Sequence, residues 1–477
     1  MPVPPPLEEI FHPRSVAIAG VSSASASGSG PGSGGGFLEA IRGMGFAGPI
    51  YPVNPKATEI QGLPCYPTLR DIPGPVDYVI SSVPAPVVPQ LVEDAIAKGV
   101  RAIHFFTAGF SETGDEERTD LERRVMDRLR AAGVHVIGPN CMGLYVPAAG
   151  LSFMPGFPTE PGDLAFISQS GANAGDFVKQ AGARGVRFSK VISYGNAAGL
   201  NESDLFAYAA KDPETRAVFA YIEGVRDGRR FVETLKHAAR YKPVVILKGG
   251  RTEAGARAAA SHTGSLAGSL AVFDALCRQA GALRVASLED LTDLAVAFRF
   301  LEPPAGRGVA VVGAGGGTSV LAADAIDAAG LTVPPLPEDV QAELRRFVPV
   351  AGTSVRNPLD VMSLFDPEQF STTLRLAARP DVIDVVLFHT SFDWGGRGDA
   401  ETRVRETIGN LARAREACTK PLAVSFKPAF TAESAVLIAA FVAGCAREGI
   451  AVFPGIDRAA RALAALIHWR EMHAGRS

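Results

Sequence analysis

Cysteine is scarce. The 477 residues hold five, at positions 65, 141, 277, 418 and 445, with no CxxC spacing. That excludes a disulfide framework and a zinc-ribbon type of site, and it reads as reduced thiols in a cytoplasmic protein with no metal centre. Excess charge of one sign is also missing. Lys and Arg total 47 against 50 Asp and Glu, with no basic stripe, so nucleic acid is not an expected partner. No apolar run approaches the roughly 20 residues that a membrane helix needs, so no membrane association is expected. The opening Met1-Pro2-Val3-Pro4-Pro5-Pro6 has no cationic stretch leading into an apolar core, so it does not read as a secretory signal. No repeat of solenoid length is visible. What remains is an ordinary globular composition, 47% apolar and 20% charged, long enough for two to four domains at roughly 150 residues each.

Three times along the chain, short β-branched runs alternate with Ala/Leu/Arg-rich helical patterns, which predicts parallel sheets covered by helices. The first block has strand candidates at 15–19, 50–53, 78–82, 102–106 and 134–137, with helices at 87–98 and 116–132. After a Pro/Gly-rich crossing at 155–162, the second has strands at 164–168, 188–193, 217–222 and 243–247. The spacer Glu302-Pro303-Pro304-Ala305-Gly306 leads to the third, with strands at 308–312, 385–389, 422–426 and 451–453.

In the first block, strand 15–19 runs into Gly20 and a Ser/Gly-rich stretch, and a helix begins near Gly36. Main-chain amides at such a turn, with a helix dipole behind them, suit a diphosphate. Gly30, Gly32 and Gly35 satisfy GxGxxG formally, but in so glycine-rich a segment chance supplies that match easily. The second strand is more telling. A nicotinamide dinucleotide needs Asp or Glu at its end for the ribose hydroxyls, whereas this chain has Tyr51-Pro52-Val53-Asn54-Pro55-Lys56. The Lys56 cation suits a phosphorylated ribose, which favours a phospho-adenosine ligand such as coenzyme A. A Rossmann-like domain with no ligand stays open on these residues alone.

In the second block, His262 stands among small residues in Ser261-His262-Thr263-Gly264-Ser265, leaving an imidazole accessible to a bulky anion. A lone histidine is more often structural, but two features weigh against that. Strand 164–168 ends in Ser168-Gln169-Ser170-Gly171-Ala172, a strand-to-helix turn able to hold a phosphoryl group. Strand 217–222 ends at Glu223, placing a carboxylate where parallel sheets build their sites. An imidazole attacking phosphorus must be neutral and in one tautomer. A carboxylate taking its other N–H fixes that tautomer and steadies the cation formed, and the helix start offsets the phosphoryl charge.

Four separated motifs carry a resemblance: Val53-Asn54-Pro55-Lys56, Ser82-Val83-Pro84-Ala85-Pro86, Phe106-Thr107-Ala108-Gly109 and Ile137-Gly138-Pro139-Asn140-Cys141. Their order and spacing resemble the CoA-binding domain of succinyl-CoA synthetase and the ADP-forming acyl-CoA synthetases. The resemblance implies coenzyme A contacts at Gly20, Val21, Ser22, Ser23, Lys56, Val83, Pro84, Phe106, Thr107 and Ala108, with Asn140 nearby. The Ser/Gly insertion after Ser23 is longer than the family loop. The run Ser261 to Gly268 is similar to the phosphohistidine loop of the ADP-forming branch, which implies His262 as the phosphorylated residue, Glu223 as its orienting partner, and Ser168, Gln169, Ser170, Gly171 and Ala172 as the phosphate-holding helix start. Gly175 stands where the succinyl enzyme carries a tyrosine against its substrate, so a substrate other than succinate is expected.

The third block opens with a second glycine turn, Gly313-Ala314-Gly315-Gly316-Gly317-Thr318, which alone reads either as another nucleotide site or as a close-packed βα turn. The resemblance favours the latter, in an additional flavodoxin-like domain. The implied fold is α/β: a Rossmann-like CoA-binding domain (1–145), then two flavodoxin-like, succinyl-CoA synthetase-like domains (146–302 and 303–477). No segment has the character of an ATP-grasp domain. The reading is therefore the α subunit of an NDP-forming acyl-CoA synthetase acting on a small carboxylic acid, with ATP/ADP and Mg met through an ATP-grasp β subunit in an α2β2 assembly. Two rivals are a CoA- or acyl-CoA-binding module and a nucleotide-independent acyl or CoA transferase.

Overall fold

The computed structural model describes residues 4–22, 33–263, 269–361, 366–393 and 399–474, the side chains of 259–263 excepted. The chain divides into two units, 1–179 with 187–288, and 180–186 with 289–477.

The first unit carries two sheets. β1 (Val16–Ala19), β2 (Ile50–Val53), the small antiparallel hairpin β3 (Glu59–Ile60) and β4 (Leu63–Pro64), β5 (Tyr78–Ser81), β6 (Ala102–Phe105) and β7 (His135–Ile137) belong to its first half. All but the hairpin strands form one parallel sheet in the order β2-β1-β5-β6-β7. Val16 to Ala19, Tyr78 to Ser81 and Ala102 to Phe105 are buried throughout, as expected of strands with helices on both faces. The strand order reverses between β1 and β5, and that reversal opens a crevice at the carboxyl ends of the two strands.

The second sheet takes β8 (Gly143–Tyr145), β9 (Leu164–Ser168), β10 (Phe188–Ser193), β11 (Ala217–Ile222), β12 (Val244–Lys248) and β13 (Leu283–Val285), in the order β13-β12-β11-β9-β10-β8. Only β8 runs antiparallel, at the edge against β10. Aromatic residues fill this core, with Phe177 between Phe166, Phe188 and Phe219.

The second unit holds an all-parallel sheet of β14 (Val309–Gly313), β15 (Leu359–Asp360), β16 (Val385–Thr390), β17 (Leu422–Phe426) and β18 (Ala451–Pro454), ordered β15-β14-β16-β17-β18. Its buried ionic group is Asp293, which receives Arg184 at 2.6 Å and Arg458 at 2.6 Å.

The predicted strands all form, with ends displaced by about one residue. The strand expected at 243–247 lies at Val244–Lys248 because Pro243 has no amide to donate; its carbonyl accepts from Val218 N at 2.9 Å. Five described strands were not predicted: the hairpin strands β3 and β4, and β8, β13 and β15 at sheet edges, all two or three residues long. Residues 143–145, expected to close the first domain, join the second sheet.

Candidate active site

In the first sheet the glycine turn is shaped by contact between neighbouring loops. Gly20 has φ +94°, and a Cβ there would stand 2.8 Å from the Ser82 main chain. A Cβ on Gly34 would stand 2.7 Å from Gly20 O, so the helix Gly34–Gly43 starts tight against the turn. Ser33 caps that helix by accepting from Gly36 N at 3.1 Å. Asn54 donates through Nδ2 to Val21 O at 2.6 Å and accepts from Lys56 N at 2.8 Å. The loop after β2 is thereby tied to the glycine turn, and the exposed Lys56 is carried beside it.

The remaining CoA-site candidates cluster at the same end of the sheet. Thr107 Oγ1 lies 2.8 Å from Val83 O and 3.0 Å from Ser81 Oγ, linking the loops after β5 and β6. Because that hydroxyl is buried and engaged, and the Val21 side chain is fully buried, these two residues can offer a ligand only their main chain. Ala108 and Pro84 are exposed, and Phe106 packs edge-on against Phe37 with centroids 5.6 Å apart. Asn140 (φ +56°) donates its amide to Thr107 O at 3.1 Å and reaches Asn196 Oδ1 at 3.4 Å. Gly20, Val21, Ser22, Lys56, Val83, Pro84, Phe106, Thr107, Ala108 and Asn140 thus lie on loops at the carboxyl end of the first sheet, where the Lys56 cation beside the glycine turn fits a phosphorylated nucleotide. Ser23 lies outside the described residues.

In the second sheet, β9 delivers Ser168 to the start of the helix Gly171–Ala183. Ser168 Oγ donates to Ser170 O at 2.7 Å and accepts from Ser170 N at 3.2 Å, while Ser170 Oγ accepts from Asn173 N at 3.2 Å. Both hydroxyls serve the turn itself. An anion here would meet the amides of Gly171 and Ala172, in a first turn that lacks intrahelical acceptors.

Glu223, 6% exposed, follows β11 and is held on three sides. Gln169 Oε1 accepts from Glu223 N and, at 3.0 Å, from Gly224 N. Tyr221 donates its hydroxyl to Glu223 Oε1 at 3.1 Å. From the adjacent end of β12, Lys248 donates through Nζ to Glu223 O at 2.6 Å and to Gly249 O. Burial pulls this ammonium below the usual lysine range, with Glu223 opposing the shift. Burial likewise lifts the Tyr221 phenol, reinforced by the Glu223 charge. A Cβ on Gly249 would lie 2.6 Å from the Tyr221 hydroxyl and 3.2 Å from Glu223 Cγ, so glycine is what lets the carboxylate sit there.

Sequence reasoning assigned Gln169 to phosphate; its Oε1 accepts from both amides of the Glu223 turn. It missed Tyr221, Lys248 and Gly249. The available signal was a Lys-Gly-Gly ending on an apolar strand next to the strand that ends in Glu223.

Gly175 is buried one turn into the helix, and a Cβ there would meet Met154 Cε at 3.2 Å. The space left by the small residue is therefore partly taken by a thioether. Met142 lies in the same way over Gly171, at 2.5 Å from its Cβ position. His262 falls within the helix Glu253–Thr263, but its side chain lies outside the described residues.

In the second unit the third block's glycine turn is filled from within. The His389 imidazole lies against Gly313, and burial pushes its pKa down to about 4. Asp360 Oδ1 accepts from Gly315 N at 2.7 Å, and Lys427 Nζ donates to Thr318 Oγ1 at 2.9 Å.

All five cysteines are free thiols, and burial raises each, to about 11 for Cys418 and about 12 for Cys277 and Cys445. Among the described residues there is no cluster of His, Cys, Asp and Glu fit for a metal, and no helix long and apolar enough to cross a membrane.

Comparison with known proteins agrees with this layout. A CoA binding domain matches residues 14–147, a succinyl-CoA ligase like flavodoxin domain 161–298, and a Ligase-CoA domain 308–440. Acetate–CoA ligase [ADP-forming] II subunit alpha of Pyrococcus furiosus is 37% identical over 80% of this chain and 81% of its own. The subunit alpha of ligase I from the same organism is 34% identical over 98% of both chains. A dinucleotide forming acetyl-coenzyme A synthetase 1 of Ca. Korarchaeum cryptofilum, solved with phosphate and ADP, superposes with a TM-score of 0.83 at 31% identity, covering 98% of each chain. With the relatives and the order of the matched family domains in agreement, the chain belongs to the family of ADP-forming acetate–CoA ligase α subunits, and it is a ligase of the acyl-CoA synthetase type.

Proposed function

We propose that the chain interconverts a small carboxylic acid, CoA and NTP with acyl-CoA, NDP and phosphate, by way of a phosphohistidine at His262 and a bound acyl phosphate. The observation that carries this reading is a carboxylate, Glu223, fixed at a strand end in the same sheet that delivers Ser168 to a helix start.

Glu223 accepts one imidazole N–H of His262, leaving the lone pair of the other nitrogen to attack phosphorus. The amides of Gly171 and Ala172 and their helix dipole offset the charge of the phosphoryl group. In the synthetic direction the phosphoryl group passes from His262 to an oxygen of the carboxylic acid, restoring the neutral imidazole. The CoA thiolate then attacks the acyl carbon and phosphate leaves. CoA lies along the rim from Gly20 to Ser23, with Lys56 facing the ribose phosphate and Phe106, Thr107 and Ala108 lining its path. The expected division 1–145, 146–302 and 303–477, with its first boundary drawn back to before residue 143, assigns CoA binding, phosphoryl chemistry and a supporting flavodoxin-like domain to successive segments.

Phosphorylation of His262 from ATP, with its Mg ion, falls to a β subunit of ATP-grasp type, in an α2β2 assembly in the cytoplasm.

The reverse half-reaction needs only this chain. Acetyl-CoA and ³²P-phosphate should place acid-labile, base-stable label on wild-type protein and none on His262→Asn. CoA binding without label on wild type would leave a binding module instead.

A further inference from the structure

We propose that Lys248 is a positioning residue of this site, whose ammonium, together with the Gln169 side-chain amide, locks the Glu223 main chain so that the carboxylate holds a single orientation. The inference rests on the reading of Glu223 as the partner of His262.

The geometry favours a purpose other than stability. Lys248 is 2% exposed, and its hydrogen bonds run to the main-chain oxygens of Glu223 and Gly249. An ammonium taken out of water is costly, and an apolar side chain of the same length in its place is often neutral or stabilising. Here the charge sits beneath a turn whose two amides already go to Gln169 Oε1. The turn is thus gripped from both sides, its N–H groups from β9 and its C=O from β12. Tyr221 then sets the side chain through Oε1. Metal sites use such outer contacts to fix the orientation of a ligand, and their loss there typically costs about 10- to 100-fold in activity. The Phe273 ring, 5.8 Å from Lys248 Nζ, closes the ammonium's apolar surroundings.

The test uses single-turnover labelling from acetyl-CoA and ³²P-phosphate on wild type, Lys248→Met and Gln169→Met. The expected result is a labelling rate at saturating acetyl-CoA reduced about 10- to 100-fold in each variant, with half-saturation by acetyl-CoA and the melting temperature close to wild type. If Lys248→Met does not fold, Gln169→Met carries the test alone. Wild-type rates in the variants, or rates that fall only in step with the melting temperature, would overturn the proposal. Absence of label on wild type would instead overturn the phosphohistidine reading beneath it.

Discussion

Met154 occupies the space that Gly175 leaves open, its Cε standing 3.2 Å from where a Cβ on residue 175 would be. The acyl end of a substrate held at the helix start would face a flexible thioether there, and a methionine wall suits a short apolar tail better than a second carboxylate. Met154→Ala should therefore widen the range. Labelling of His262 from a panel of acyl-CoAs should show branched or aromatic acyl groups gaining about tenfold or more relative to acetyl, since each methylene in an apolar pocket is worth about 1–3 kcal/mol. Succinyl-CoA emerging as the best donor would contradict the pocket as described.

Glu223→Gln keeps the shape of the side chain and removes its charge. The imidazole would lose the partner that steadies its cation. Single-turnover labelling should slow by about two to four orders of magnitude, while CoA binding, measured by calorimetry, should hold. A variant that labels at the wild-type rate would separate Glu223 from the chemistry.

Gly20→Ala forces a Cβ onto a residue at φ +94° and toward the Ser82 main chain at 2.8 Å. Strain of this kind costs on the order of 1–3 kcal/mol. The turn and the loop after β5 should separate, weakening CoA binding by about tenfold or more. The helix start at Gly171 lies in the other sheet, so acetyl phosphate, which does not use the CoA rim, should still label His262.

Two buried histidines predict acid sensitivity. His104 is fully buried, its Nε2 lies 2.9 Å from Cys141 O, and burial pushes its pKa down to about 4. Between about pH 6.5 and 4 the unfolded chain therefore binds the proton more readily than the folded one. Stability from this group is complete above about pH 6.5 and is lost as the pH falls toward 4, by up to about 3 kcal/mol. His389 behaves alike in the second unit. Melting temperature should drop steeply over that interval, and His104→Phe should make the drop shallower. Equal slopes for the two proteins would exclude His104 as a source.

The sheets were legible because long buried strands such as 217–222 and 188–193 announce themselves as apolar runs bounded by turns. Strands of two or three residues, such as β8 and β15, lack the length to form a pattern, and their pairing is settled by neighbours distant in the chain. Positions were legible where residue type marks them: Glu223 does follow a strand end and Gly20 does sit in a turn. It was not legible where a residue acts by proximity alone. The Lys-Gly-Gly ending of the strand marks the place, but not that the Lys248 side chain folds under the neighbouring strand's turn or that residue 249 must have none. Gln169 was named for its place near the helix start, while its side-chain oxygen also reaches across to β11's end, a contact that spacing does not reveal.

The raised pKa of the five thiols bears on selectivity among sulfur nucleophiles. At neutral pH each stays protonated, four of them buried and Cys418 partly so. Under the proposed cycle, an activated acyl group at the helix start would meet protonated protein thiols, and the sulfur suited to capture it would be the thiolate that arrives with the ligand.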